Sequence, residues 1–365
     1  MYIHTFETSI ILTGKDYSAI QNELKEKDPS KWVAEKTGMT YFGLREKGIL
    51  IKFFYIKKKG YRTHSLTYRI SARRVMENDN YVGLFNTKNY DELKDKVNKL
   101  LKEKCNLLPK LKHCSLKRLD FCINARLDDQ EQVQAYIKIA KRANVPPHLS
   151  TCVAYDKKAH HSRPTDDDFT VYSKDYIAIS IYNKYQQMVK ESGKKTKNGR
   201  KITYSERDLK DAENIVRIEI RCMEAKIKSL KQKFHVETIA QFFRKSDEIG
   251  DYLFKHYLSA MFSFGRIYTL KEAVQRITYQ SDLRKNQIKN MTEFIKYANE
   301  KRSIATVVQE LKSEKKESTL KSIMKLFKYI DVNYVTVTCR DAKLFPYKYI
   351  PTPLELYEEF INKKQ

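Results

Sequence analysis

Apolar and polar residues alternate at period two through much of the first 225 residues, and apolar residues recur at helical spacing through most of the remaining chain. The stretch "IAISIYNK" at 177–184 shows the alternation most clearly. Ile177, Ile179 and Ile181 fall on one side of a strand, and Ala178, Ser180, Tyr182 and Lys184 fall on the other. "LKRLDFCINARL" at 116–127 sets Leu119, Phe121 and Ile123 against Arg118, Asp120, Cys122 and Asn124. "NIVRIEIRC" at 214–222 sets Val216, Ile218, Ile220 and Cys222 against Arg217, Glu219 and Arg221. "YIHTFETSIIL", "MTYFGLRE", "ILIKFFYI" and "SLTYRISARR" read as further extended segments, the middle two as a hairpin. "YDELKDKVNKLLKEK" carries Leu93, Val97, Leu100 and Leu101 at helical spacing, and a second helix is expected over 129–143.

Strands broken by single helices and hairpins predict an α+β fold with an antiparallel-sheet domain over residues 1–235. Helical periodicity then dominates 236–365, in "ETIAQFFRKSDEIGDYLFKHYLSAMFSF" and "LKEAVQRI". Within 291–338 three short helices precede a strand-like "VNYVTVT", with Lys321, Lys325 and Lys328 in the third helix. That order fits a winged helix-turn-helix that reads DNA, and equally a helical bundle or dimerisation segment.

The charge balance sharpens the picture. Lys and Arg number 71 against 45 Asp and Glu, a net charge of +26. Such an excess points to a polyanionic partner, with nucleic acid favoured over an anionic membrane surface. No run approaches 18 apolar residues, and "MYIHTFETSIILTGKDY" lacks the pattern of a signal peptide, so a cytoplasmic protein without membrane contact is expected. The six cysteines form no CxxC pair, which argues for reduced thiols and against zinc. Neither a phosphate-binding G-x-x-x-x-G-K-[ST] loop nor a G-x-S-x-G elbow occurs.

If the three amphipathic strands are neighbours, their polar rows form one surface holding Asp120, Glu219, Tyr182 and several cations. Carboxylates on facing strands can hold a hard divalent ion, which polarises a phosphodiester. A tyrosine beside it can be a nucleophile if positive charge from metal, Lys184 or an arginine such as Arg217 lowers the cost of a phenolate, since a free phenol has a pKa of ~10. Taken singly, each strand reads as an ordinary solvated sheet face, and Tyr182 as a packing residue.

Together, "RLDFCIN", "ISIYNKYQQ" and "VRIEIRC" resemble the Rep_trans-type rolling-circle replication initiators of Gram-positive plasmids, whose relatives include relaxases of conjugative elements. The resemblance covers roughly 115–230, about a third of the chain. It implies that Tyr182 nicks DNA through a covalent phosphotyrosine, with Asp120 and Glu219 on Mg²⁺ or Mn²⁺. It also implies a homodimer acting on double-stranded origin DNA with a single-stranded or hairpin nick site, and a host helicase as possible partner. Three positions depart from the family pattern: Asn124 stands where a further metal-binding acid is common, Ser71 where an upstream acid is expected, and Ser180 where an arginine often precedes the tyrosine. Arg118 and Arg221 flank the acids, and the basic loop contributes Lys194, Lys195, Lys197, Arg200 and Lys201 as a clamp for DNA backbone or as a merely soluble hairpin tip.

Two rivals share the sequence. "YDKK" at 155–158 satisfies the Y-x-x-K of His-hydrophobic-His relaxases, but His160 and His161 are adjacent and no H-x-H occurs. A catalytically inactive protein that binds an origin or operator is the alternative from another class.

Overall fold

Four strands far apart in sequence meet at the centre of one antiparallel sheet. They are β1 (Tyr2–Leu12), β7 (Ser115–Arg126), β13 (Ile215–Cys222) and β12 (Ile177–Asn183), neighbours in that order. Beyond β1 the sheet continues through β5 (Tyr61–Ser71), β4 (Ile49–Lys58), β3 (Gly38–Tyr41) and β2 (Trp32–Glu35). Beyond β12 lie β11 (Asp168–Ser173) and β8 (Ser150–Thr151), and the short β6 (Phe85–Asn86) pairs with the start of β1. A separate hairpin joins β9 (Ala154–Asp156) and β10 (His161–Arg163). The computed structural model describes every residue except 59–60, 78–80, 147, 152–153, 157–160, 164–167, 195–201, 264, 302, 315, 347–348 and 364–365, and side chains are also left aside at 56–58, 61–62, 154–156, 161–163 and 314.

The expected α+β class is the observed one, and the alternation places each central strand. Ile3, Phe6, Leu119, Phe121, Ile123, Ile218, Ile220, Ile179 and Ile181 are all fully buried. Each such side chain removed from water contributes about 1.5–3 kcal/mol as an upper bound. The helix Gln130–Ala140 packs on β11, β12 and β13; it is started by Asp129, whose side chain accepts from the Gln132 amide. Further along, Phe6 meets Phe243 edge-on at 5.4 Å, and Phe243 stacks on Tyr90 at 4.2 Å. Buried apolar residues from both sides of position 235, from Met1 to Phe360, join one continuous cluster.

Three local departures have physical reasons. The expected extended segment 65–74 ends at Ser71, and Ala72–Glu77 is helical, with Ala72 and Val75 buried on one side. In the basic stretch 190–207, a capping box at Ser205 starts the helix Glu206–Ala212. The C-terminal region does contain the three expected helices, Lys285–Lys301, Ile304–Glu314 and Glu317–Tyr329. The strand expected after them is absent. "VNYVTVT" makes only isolated bridges, Val332 with Arg266 and Val337 with Thr269. Residues 332–337 are all buried, so this segment runs through the core with no polar face left to water. Asn333 secures it by donating to the Phe262 and Gly265 carbonyls. Among the described residues, no helix is long and apolar enough to cross a membrane.

Candidate metal and tyrosine site

The face of the central strands opposite the core carries the polar rows, but these are not an open surface. Asp120, Arg217 and Glu219 are 1%, 0% and 4% exposed. A small second cluster, Val82, Met188, Ala212 and Ile215, closes one end of this face. A cleft of about 570 Å³ remains, lined among others by His4, Asp120, Ser180, Tyr182, Glu219 and Arg221.

His4 enters the cleft through an irregularity in β1. Ile3 pairs with Phe121 and Phe6 with Leu119, so β1 spends three residues where β7 spends two. This is a β-bulge, and it brings His4 and Thr5, adjacent in sequence, to the same cleft. Potential ligand atoms of His4, Asp120 and Glu219 all lie within 4.8 Å of one another. Ligands around one ion with bonds of ~2.1 Å span at most ~4.2 Å, so the set would have to draw closer than its present spread to hold Mg²⁺ or Mn²⁺. An imidazole beside two carboxylates suits Mn²⁺ better than Mg²⁺.

Guanidinium groups flank both acids. Arg118 holds Asp120 through both Nε, at 2.8 Å, and Nη2, while its Nη1 lies 3.2 Å from Glu7. Arg221 donates to Glu219 at 2.7 Å and has its Nε 3.3 Å from Asp120. Burial and the neighbouring Glu219 push the Asp120 carboxyl up, against the pull of Arg118. For Glu219, burial pushes up but Arg221, His4 and Arg217 together outweigh it and hold the carboxyl low. Burial, then Arg217, push the His4 imidazole down to about 3, so at neutral pH it is in the uncharged form that ligates metal.

Tyr182 is half-buried, and its hydroxyl stands 3.3 Å from Glu219 Oε2 as donor. Burial and Glu219 raise the phenol well above its usual range, and Arg217 pulls the other way. Arg217 is the direct cross-strand partner of Tyr182. Its Nε donates to Asn124 Oδ1 at 2.8 Å and its Nη2 to the Val82 carbonyl, while Nη1 has no hydrogen-bond partner among the described residues.

The residues singled out from sequence are therefore dispersed in role. Asp120, Glu219, Tyr182 and Arg217 do come together. Asn124 has both ends of its amide engaged, by Arg217 and by the Val82 carbonyl, and is a support for the arginine rather than a free ligand. Lys184 does not continue the strand face: β12 ends at Asn183, which caps the helix Lys184–Glu191 through the Gln186 amide. Lys184 is buried and donates to Gln187 at 2.8 Å; burial, then Arg217, push its ammonium down to about 7. Arg118 is almost fully buried on its acids, Arg221 is half-buried, and the exposed Lys194 sits at the mouth of the cleft. Lys195, Lys197, Arg200 and Lys201 lie outside the described residues, as do the side chains of Tyr155, Lys158, His160 and His161. Ser180 hydrogen-bonds Thr170 at 3.0 Å and leaves room in the cleft floor. Sequence reasoning missed His4; the three-residue step from Ile3 to Phe6 inside an alternating strand was the available signal of a bulge.

Among the described residues the cysteines Cys105, Cys114, Cys122, Cys222 and Cys339 are free, all but the last buried. No family model, curated protein or solved structure matches this chain.

Proposed function

We propose that the chain is a metal-dependent DNA nickase and religase that starts rolling-circle replication of a plasmid or other mobile element. The observation that carries this reading is the Tyr182 hydroxyl 3.3 Å from Glu219, in one cleft with the mutually close His4, Asp120 and Glu219. His4, Asp120 and Glu219 would hold Mg²⁺ or Mn²⁺, which when bound supplies Lewis-acid polarisation of the scissile phosphate.

The protein's own groups do the rest. Glu219 takes the phenol proton, the Tyr182 oxygen forms a bond to phosphorus, and the bond from phosphorus to a DNA oxygen breaks. That oxygen leaves as a hydroxyl by taking a proton from solvent, to which Glu219 returns the phenol proton, and the phosphotyrosine retains the bond energy needed for resealing. Arg217, held by Asn124 and Val82 and paired with Tyr182 across the strands, would stabilise the developing phenolate. Arg221 and Lys194 meet DNA phosphates at the mouth. The partner in this reading is origin DNA with a single-stranded or hairpin nick site, engaged by a homodimer with a host helicase following; conjugative transfer would use the same chemistry.

A second reading, a catalytically silent origin- or operator-binding protein, is favoured by two features: both acids are already neutralised by arginines, and the phenol is raised rather than lowered. The deciding experiment incubates supercoiled DNA bearing the element's origin with the protein and Mn²⁺ or Mg²⁺. The first reading expects open circles and a denaturation-resistant protein–DNA adduct, both lost in Tyr182→Phe. Nicking that survives this substitution removes Tyr182 as nucleophile, and absence of nicking and adduct with wild type supports the silent binder.

A further inference from the structure

Tyr279 and Tyr329 are the two most exposed aromatic rings among the described residues, at 78% and 65%. They come from different helices. Tyr279 caps the C-terminus of Leu270–Thr278, and Tyr329 is the last residue of Glu317–Tyr329. The Tyr329 hydroxyl lies 3.4 Å from Asp282, three residues beyond Tyr279 in the loop that Tyr279 opens.

A chain of stacked groups runs behind them. The exposed Arg276 guanidinium lies 4.2 Å over the Tyr268 ring, and Tyr268 meets Tyr349 at 6.3 Å. Arg266 lies 4.7 Å over Tyr349, and its Nε is 3.5 Å from Asp331, two residues past Tyr329. Through the buried Tyr268 ring, these contacts link the helix of Tyr279 to Asp331, just past the helix of Tyr329. Lys321 and Lys325, eight and four residues before Tyr329, share its helix face and are exposed. Nearby carboxylates are engaged: Asp331 by Arg266, Asp282 by Tyr329, and Glu317 by Lys321 at 2.8 Å.

An arginine laid flat on a ring keeps its N–H edge for a phosphate. Exposed phenol rings between such cations offer π-faces to unpaired bases, a combination that tracks single strands with little regard to sequence. A duplex hides its base faces and would meet only the cations. A protein partner would be expected to cover an apolar centre depleted of lysine, which this patch is not. The net charge of +26 supplies the matching long-range attraction.

We infer that this patch is a binding surface for single-stranded nucleic acid, with unpaired bases stacking on Tyr279 and Tyr329 and phosphates meeting Arg276, Arg266 and Lys325. It shares no residue with the Tyr182 cleft and does not depend on the nicking reading.

The test is fluorescence anisotropy of the full chain with a labelled mixed-sequence single strand and with its duplex, in chelator so that no strand is cut. The Tyr279→Ala/Tyr329→Ala variant is expected to bind the single strand about tenfold or more weakly, with duplex affinity unchanged to about twofold. The corresponding Phe variant keeps the rings and is expected to bind like wild type. Lys325→Ala is expected to flatten the salt dependence of single-strand binding. The inference is overturned if the Ala variant keeps wild-type single-strand affinity, if it loses single strand and duplex equally, or if the Phe variant loses as much as the Ala variant. An oligomer that dissociates in the Ala variant without loss of single-strand affinity assigns the patch to a second copy of the chain instead, and also overturns it. Should the double variant unfold, Tyr279→Ala alone, at the more exposed ring, gives the same reading.

Discussion

Asn124 on β7 holds the fully buried guanidinium of Arg217 on β13, accepting from its Nε at 2.8 Å. The two are register partners across the sheet, and the Val82 carbonyl takes the other end of the arginine. Asn124→Ala leaves a buried cation short of a partner, at a cost of about 1.5–3 kcal/mol. The denaturation midpoint is expected to fall accordingly. Asn124→Asp, which offers the same acceptor with a charge, is expected to stay near wild-type stability. Mn²⁺ affinity, read by titration, is expected to stay unchanged in Asn124→Ala, because the amide is committed to the arginine; a large drop would make Asn124 a ligand after all.

His4 offers the opposite pattern. Its imidazole is half-buried, uncharged at neutral pH and within 4.8 Å of the two acids. His4→Ala is expected to weaken Mn²⁺ binding by about tenfold or more, comparable to the losses seen when a group supporting a metal site is removed. Fold stability should change little. Electron paramagnetic titration of Mn²⁺ checks the affinity, and thermal unfolding in chelator checks the fold.

The contrast between these two residues shows where the sequence was readable. Alternation in "IAISIYNK" and "RLDFCIN" was sufficient to place Tyr182 and Asp120 on one face, because isoleucine, leucine and phenylalanine at every second position bury only one way. The same rule misplaced Lys184, since the side chain of Asn183 ends the strand by capping a helix, and period two carries no information about a cap. It also concealed His4, because a bulge shifts the phase of the alternation by one. The burial of Arg217 depends on Val82, a residue 135 positions earlier in the chain, and a contact of that separation leaves no local pattern. "VNYVTVT" had strand composition but finds no continuous partner strand, so propensity gave way to tertiary packing.

Acid sensitivity is expected at a site remote from the cleft. Asp28 receives hydrogen bonds from Lys104 and from the buried Tyr41 hydroxyl. Burial pushes its carboxyl up, but these two donors outweigh burial and hold it below the usual range. A carboxyl depressed in the folded state adds stability that is fully present above the unfolded pKa of ~3.9 and is lost as pH falls through the lower folded value. Asp28→Asn is therefore expected to be less stable than wild type at pH 6, with the gap narrowing as pH falls below about 4. Urea midpoints measured across that range check it; a gap that does not depend on pH would remove the charge of Asp28 as the cause.

The two arginines on the acids make the final prediction, which concerns metal removal. With Arg118 on Asp120 and Arg221 bridging Asp120 and Glu219, the carboxylates are compensated before any ion arrives. Chelator is therefore expected to leave the fold intact, and Mn²⁺ to stabilise it only through mass action, by about 2.7 kcal/mol at a hundredfold excess over the dissociation constant, which raises the melting temperature. Arg221 is the more exposed of the pair and competes with the ion for Glu219. Arg221→Ala should lower the melting temperature in chelator, because the buried Glu219 then loses the guanidinium that donates to it directly. The same change should tighten Mn²⁺ binding, since the ion no longer displaces a guanidinium. Melting curves with and without Mn²⁺ read both effects at once: the metal-induced shift should be larger in Arg221→Ala than in wild type, and an equal or smaller shift would mean that Arg221 helps to hold the site open to metal instead of competing with it.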